Sequence, residues 1–265
     1  MTAEALYEEY LTTPWSEPSR REREFLDAGE PLTLATEDGD VRGRRWRAES
    51  GTRGAILLAH GWAGRSSTWL VLAPMLNAAG LDVFAFDAPG HGETRGPEGP
   101  PRSSFFAFAA TLLAAQSQIL SSTPLRAVVG HSIGACTIPY ALAQGLQAER
   151  AVLISPTAHT ESFLTRWAAA RGLSPEEEAS VKQVWLAEFG EDVLQRTDPE
   201  QQARAMTVPA LILHDGFDIE APIEDGQTLT RAWPGATLEE TTGLGHRRIL
   251  LSRAAMGQVV EFVAS

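Results

Sequence analysis

Gly130-His131-Ser132-Ile133-Gly134 sets one serine between two glycines. The apolar run Ala127-Val128-Val129 precedes it, and a stretch of helical character follows from Ile133 to about Leu146. A G-x-S-x-G pattern between strand and helix is the sequence form of a nucleophile elbow. The sharp turn lifts the serine hydroxyl off the backbone, and glycines on both sides let strand and helix approach closely. The N–H groups that open the new helix point toward the place where an oxyanion would form.

A serine hydroxyl is a poor nucleophile at neutral pH and needs a base, normally histidine. The chain offers six: His60, His91, His131, His159, His214 and His246. The base must come from a loop after a late strand, at the same sheet edge as the elbow. His246, in Thr242-Gly243-Leu244-Gly245-His246, meets that requirement. The base in turn needs a carboxylate that holds its tautomer and stabilises the imidazolium. Asp215, Asp218 and Glu220, in the loop after Leu213, are the candidates, and residue types alone leave the choice among them open. The order along the chain is then serine, acid, histidine, each after a strand.

The elements that must position these groups are written as periodicity. Leu32–Thr36 and Val41–Trp46 flank Glu37-Asp38-Gly39-Asp40, which predicts a hairpin. A strand–helix rhythm follows. Strands are expected at Ala55–Ala59, Asp82–Phe86, Val128–Val129 and Ala151–Ile154. Helices are expected at Ser67–Ala79, Ser103–Leu120 and Ile133–Leu146. Short apolar strands alternating with helices predict a parallel sheet covered on both faces. The rhythm stops at Ser155-Pro156. Residues 157–206 carry only helical signals, around Phe163–Ala170 and Pro175–Phe189, and are expected to form a helical cap over the carboxyl end of the sheet. The rhythm resumes with a strand at Leu211–Leu213, a helix at Ile223–Trp233, a strand at Thr237–Glu240 and a closing helix at Arg253–Val263. Residues 1–30 are polar and helix-biased, and are expected to be a solvated extension lying on the domain. The domain division is therefore a core of residues 1–156 and 207–265 interrupted by a cap at 157–206.

Composition narrows the classes of function. The chain has 265 residues, 43% of them hydrophobic, and a net charge of −12. An acidic surface repels phosphate backbones and anionic lipid, so neither nucleic acid nor a membrane surface is an expected partner. One cysteine, Cys136, permits no intrachain disulfide and no cysteine metal cluster, and it reads as a small core residue. No metal site is expected. Met1-Thr2-Ala3-Glu4 opens without a basic then apolar stretch, and no apolar run approaches a membrane span, so a cytoplasmic protein is expected. Monomer and homodimer are equally compatible with the sequence.

Together the motifs make the chain resemble the α/β-hydrolase superfamily from about residue 32 to the end, in particular capped bacterial serine esterases of unassigned substrate. His60-Gly61-Trp62 resembles the family's His-Gly motif. Phe86-Asp87-Ala88-Pro89-Gly90-His91-Gly92 resembles its D-x-x-G-x-G loop. Gly130 to Gly134 resembles its elbow, His214-Asp215-Gly216-Phe217-Asp218 with Pro222 its acid loop, and Gly245-His246 its terminal base. The resemblance implies an α/β-hydrolase fold with Ser132 as nucleophile, His246 as general base and acid, and Asp218, better placed in the pattern than Asp215, as orienting carboxylate. It implies an oxyanion hole from the N–H groups of Trp62 and Ile133. The reaction implied is hydrolysis of a small acyl substrate through an acyl-enzyme, with no cofactor.

Further expectations concern the pocket and the loops. Trp62 is expected to line the acyl pocket, and His159, Phe163, Trp167 and Trp185 are candidates on its cap side. His60 and Asp87 are expected to shape loops and His131 to act as a spacer under the elbow. Arg247 and Arg248 are expected in solvent or capping roles. The same triad serves carbon–carbon bond hydrolysis and cofactor-free peroxidase chemistry, and a ligand-binding member of the fold could keep it without turnover.

Overall fold

The chain enters its sheet through an antiparallel hairpin, β1 (Glu30–Thr36) and β2 (Gly39–Trp46), in which Leu34 faces Val41 and Thr36 faces Gly39. The computed structural model describes residues 1–37, 39–49, 51–94, 101–118, 120 and 123–265. Asp38 of the expected turn and Ile119 near the end of the helix expected at Ser103–Leu120 lie outside the described residues.

Six further strands are β3 (Ala55–Ala59), β4 (Asp82–Phe86), β5 (Leu125–His131), β6 (Ala151–Ile154), β7 (Ala210–Asp215) and β8 (Ala236–Thr241). The eight strands lie in the order β1-β2-β4-β3-β5-β6-β7-β8. Pairing is parallel from β4 through β8, and β2 joins β4 antiparallel. The central strands can be continuous apolar runs because both faces are covered. Leu57, Phe84 and Val128 point into one core layer, with Leu112, Ile138 and Leu229. Ile56, Leu58, Val83 and Val129 point into the other, with Leu72, Leu76, Met256 and Val259.

The helices are α1 (Ala3–Leu11), α2 (Arg20–Asp27), α3 (Leu72–Ala78), α4 (Phe105–Gln118), α5 (Ile133–Ala143), α6 (Glu161–Arg171) and α7 (Pro175–Phe189). They continue with α8 (Val193–Thr197), α9 (Pro199–Ala203), α10 (Ile223–Ala232), α11 (Gly245–Arg248) and α12 (Arg253–Ala264). No helix among the described residues is long and apolar enough to cross a membrane.

Two expected helices differ in detail. The segment expected as one helix from Ser67 begins as a 3-10 turn, Ser66–Trp69, and restarts at Leu72. Pro74 has no N–H to donate, so it fits in the first turn of a new helix and not in the interior of a longer one. Helix α5 stops at Ala143, before the expected Leu146, where Gly145 turns the chain at φ +104°.

The order of the sheet decides where chemistry can occur. From β3 the chain moves to β4 on one side and then to β5 on the other. A crevice opens at the carboxyl ends of the strands where that direction reverses. Between β6 and β7 the chain forms α6 to α9 and no strand.

The N-terminal segment corrects an expectation. Helix α1 is not a solvated extension: Leu6, Tyr7 and Leu11 are buried against Leu164, Val181 and Trp185 of α6 and α7. Arg171 of α6 donates to Glu9 at 2.9 Å, and Ser103 N–H donates to Leu11 O at 3.0 Å.

Candidate active site

Ser132 stands between β5 and α5 with φ 53° and ψ −125°, a conformation L-residues rarely adopt. The flanking glycines show why the turn is possible. A Cβ on Gly130 would lie 2.5 Å from Ala135 N, and one on Gly134 would lie 2.3 Å from His60 O. Strand, helix and the loop after β3 therefore meet at backbone distance. Two further non-glycine residues with positive φ, Ala63 and Ser155, follow β3 and β6. Backbone strain thus gathers at one sheet edge. Ser132 is tethered by its backbone: its N–H donates to Ile154 O and its carbonyl accepts from Cys136 N–H, both at 3.0 Å.

The loop after β8 carries His246, which α11 holds at the same edge. His246 Nδ1–H donates to Asp218 Oδ2 at 2.7 Å, which leaves Nε2 as the ring's basic nitrogen. The Asp218 carboxylate is buried, and its other oxygen accepts from Glu220 and Ala221 N–H at 2.9 Å. Burial pushes its pKa up, but hydrogen bonds from His214, His246 and Ala221 outweigh burial and hold it well below the usual carboxylate range. The group facing His246 is therefore an anion.

Asp215 does different work. Its Oδ1 accepts from Phe217 N–H at 2.9 Å. Its Oδ2 accepts from the Thr241 hydroxyl at 2.7 Å and Leu244 N–H at 3.0 Å. It ties the acid loop to the histidine loop. These hydrogen bonds outweigh burial and hold it at about 2. Glu220 forms a two-pronged ion pair with Arg247 at 3.1 and 3.2 Å and has no contact with the His246 ring.

The N–H of Ile133 opens α5 and so has no acceptor within the helix. Among the described residues neither it nor the N–H of Trp62 meets a protein acceptor. Both residues line a cavity of about 920 Å³ together with Ser132 and His246. Phe163, Trp167 and Trp185 line the same cavity, from α6 and α7. His159 does not, which corrects its expected place on the pocket wall. Its ring is half-exposed, and its Nδ1 lies 3.1 Å from Asp198 Oδ2. His159, Asp198 and Glu200 bring ligand atoms within 4.8 Å of one another. Other contacts use these groups: Asp198 caps α9 through Gln201 N–H, and Glu200 pairs with Arg204.

Three histidines tie loops together. His60 Nδ1–H donates to Gly61 O at 2.8 Å, and its Nε2 accepts from Ala88 N–H at 3.0 Å. It links the loops after β3 and β4, and burial lowers its pKa to about 4. Asp87 fastens the same loops by accepting from the Ser66 hydroxyl at 2.6 Å and from Glu93 N–H at 2.7 Å. His131, expected as a spacer, is more than that: its Nε2–H donates to His246 O at 2.9 Å. Burial lowers its pKa to about 3, so the ring stays neutral and holds the His246 loop against the turn at Ser132. His91, expected in a loop, is packed against His60, Trp62 and Phe108 and lowered by burial to about 3.

Sequence reasoning missed two contributors. His214 Nε2–H donates to Ala221 O at 2.9 Å and lies 3.6 Å from Asp218 Oδ2, bracing that carboxylate. Tyr10 of α1 lines the cavity, its ring 5.4 Å from that of Trp167 and 6.0 Å from that of Trp185. Leu6, Tyr7, Tyr10 and Leu11 form a stripe at helical spacing, the one signal that α1 is docked. Cys136 is buried and exchanges hydrogen bonds with the Thr157 backbone, and burial raises its thiol to about 12.

Comparison with known proteins bears on family and fold. The family model described as "Alpha/beta hydrolase family" matches residues 56–261. A monoacylglycerol lipase from Mycolicibacterium smegmatis is 35% identical over 91 residues, which is 34% of this chain and 32% of that protein. The match thus spans about a third of the relative's length. Among solved structures, a Paleococcus ferrophilus monoacylglycerol lipase superposes with a TM-score of 0.65 at 21% identity, covering 84% of this chain and 98% of that one. A thermophilic esterase from Thermogutta terrifontis superposes with a TM-score of 0.63 at 18% identity, covering 89% and 100%. At these identities the two structures establish a shared fold.

Proposed function

Because the chain belongs to the alpha/beta hydrolase family, we propose that it is a serine hydrolase that cleaves an ester or related acyl bond of a small molecule through an acyl-enzyme. The observation that carries this reading is the 2.7 Å hydrogen bond from His246 Nδ1 to the buried Asp218 carboxylate, in a cavity that Ser132 also lines from a strained elbow.

Ser132 Oγ attacks the acyl carbon while His246 Nε2 takes its proton. Asp218 keeps Nε2 unprotonated beforehand and stabilises the imidazolium afterwards. The carbonyl oxygen becomes an oxyanion that accepts from the N–H groups of Trp62 and Ile133, a contribution of about 3 kcal/mol per donor where such a donor has been removed. The alcohol leaves with the proton held on Nε2. Water then attacks the acyl-enzyme, giving its proton to Nε2, and the acid departs as that proton returns to Ser132. Among the described residues no hydrogen bond joins His246 Nε2 to Ser132 Oγ, and such contacts tighten in a substrate complex. Residues 157–206 serve as a cap. Phe163, Trp167 and Trp185 make the cavity wall apolar, which favours an apolar acyl or alkyl group of the substrate.

The test is turnover of p-nitrophenyl acetate and butyrate by wild type and Ser132→Ala. Wild type should show an initial burst of nitrophenol and steady turnover, and Ser132→Ala should lose at least about 10³-fold in kcat. Equal rates in the two proteins would exclude Ser132 as nucleophile. Tight ligand binding without turnover would mark a binding member of the fold.

A further inference from the structure

Arg166 is a cation in an otherwise apolar stretch, Phe163-Leu164-Thr165-Arg166-Trp167-Ala168-Ala169-Ala170. Helix α6 carries it to the wall of the cavity that holds Ser132, beside Phe163 and Trp167. A guanidinium carries five N–H donors and a permanent charge. One of its nitrogens, Nη2, donates to the Thr157 hydroxyl at 2.7 Å, a neutral partner. Among the described residues its nearest carboxylate oxygen is Asp225 Oδ2 at 3.9 Å from Nη1, beyond hydrogen-bond reach. That oxygen is buried and has no hydrogen-bond partner of its own among the described residues. The Phe163 ring, 5.6 Å from the guanidinium carbon, supplies only a weak cation–π contact.

The other cations on the cavity differ. Arg247 is engaged in two prongs by Glu220, and Arg21 is exposed. Arg166 alone among them is two-thirds buried, at 32% side-chain exposure, with an ion pair too long, at 3.9 Å, to be a hydrogen bond. A desolvated charge of this kind is stabilised by an anion that can meet it in two parallel hydrogen bonds. Asp225 offers it charge but no hydrogen bond: burial raises the carboxyl's pKa, and the Arg166 charge pulls it back down.

We propose that Arg166 is a substrate-binding residue that receives a carboxylate carried by the substrate away from the scissile bond, so that the preferred substrates are esters bearing a second, ionised carboxyl group. The proposal rests on the serine-hydrolase reading and refines it. Apolar walls hold the chain between the two carbonyls, and Arg166 sets how long that chain should be. An acidic molecule does not draw such anions in by long-range attraction, so the selectivity must come from the contact itself.

The experiment compares each of two series with its neutral counterpart, the carboxyl being methylated. The first is the p-nitrophenyl hemiesters of linear dicarboxylic acids from succinate to suberate, with the charge on the acyl side. The second is acetate esters of hydroxycarboxylic acids, with the charge on the alcohol side. In wild type, kcat/KM for the anion should exceed that for its methyl ester at one chain length of one series. In Arg166→Gln that ratio should fall at least about ten-fold, and Arg166→Lys, which keeps the charge but not the fork, should lie between. A purely structural role would lower both members of each pair together and leave the ratio unchanged, which would overturn the proposal. So would a wild-type ratio below one at every length in both series. If neither charged nor neutral esters are turned over, the serine-hydrolase reading fails as well. Circular dichroism of the variants separates loss of recognition from loss of fold.

Discussion

Asp218 and Asp215 are three residues apart, yet their surroundings give them separate duties. Asp218 spends one oxygen on the His246 ring, whereas Asp215 spends both on the Thr241 hydroxyl and on backbone N–H groups that join two loops. Asp218→Asn should therefore retain the fold and lose about 10²–10⁴-fold in kcat, because an amide cannot stabilise the imidazolium and selects the wrong tautomer. Asp215→Asn should show its effect first in the melting temperature. Steady-state kinetics beside thermal melts of both variants check this, and a larger kcat loss in Asp215→Asn would reverse the assignment. The strained turn at Ser132 and the loops that carry His246 and the three carboxylates were legible in residue types, because each is a short segment after a strand. The choice of acid was not legible from residue types, because it depends on which oxygen meets a ring 28 positions away. The bond from His131 to the His246 carbonyl was hidden for the same reason.

At the scale of elements, strands β3, β4 and β6 fall where their apolar runs predict, since a doubly covered parallel strand needs no more than a short continuous run. Helix α7 also begins and ends as expected, at Pro175 and Phe189, between a Ser174 capping box and Gly190. Helix α1 is the instructive failure. Glu4 and Glu8 are exposed and suggest a solvated helix, while the partners of Leu6, Tyr7 and Leu11 lie on α6 and α7, which nothing near residue 10 announces. Through this docking the N-terminus becomes part of the cavity wall. Tyr10→Ala should remove a ring from between Trp167 and Trp185 and enlarge the cavity. The acyl-length profile on p-nitrophenyl esters from acetate to dodecanoate should then move its optimum to longer chains. An unchanged profile would mean that α1 only braces the helices and does not shape the pocket.

At the scale of the molecule, three histidines are buried as neutral rings, His60 at about 4 and His91 and His131 at about 3. In the unfolded chain such rings titrate near about 6.5. Their folded pKa values are depressed, so below about 6.5 the unfolded state binds more protons and stability falls as pH falls toward the folded values of about 3–4. Asp215, depressed to about 2, and Asp218, depressed further, add their loss only below about pH 4. Urea denaturation should give a stability that is nearly level from pH 8 to 7 and declines from pH 6.5 to 4. His91→Gln removes one titrating ring and should make the decline shallower. A stability independent of pH over that range would contradict the neutral burial of these rings.

The central claim is that Ser132 is an activated nucleophile driven by His246. Its most direct measurement is labelling with a fluorophosphonate probe, with the adduct located by peptide mass spectrometry in wild type and in folded His246→Ala. The expected result is a single adduct on Ser132 in the wild type, at least about 10²-fold slower in the variant. An adduct on another serine, or equal labelling of Ser132 with and without His246, would contradict the claim.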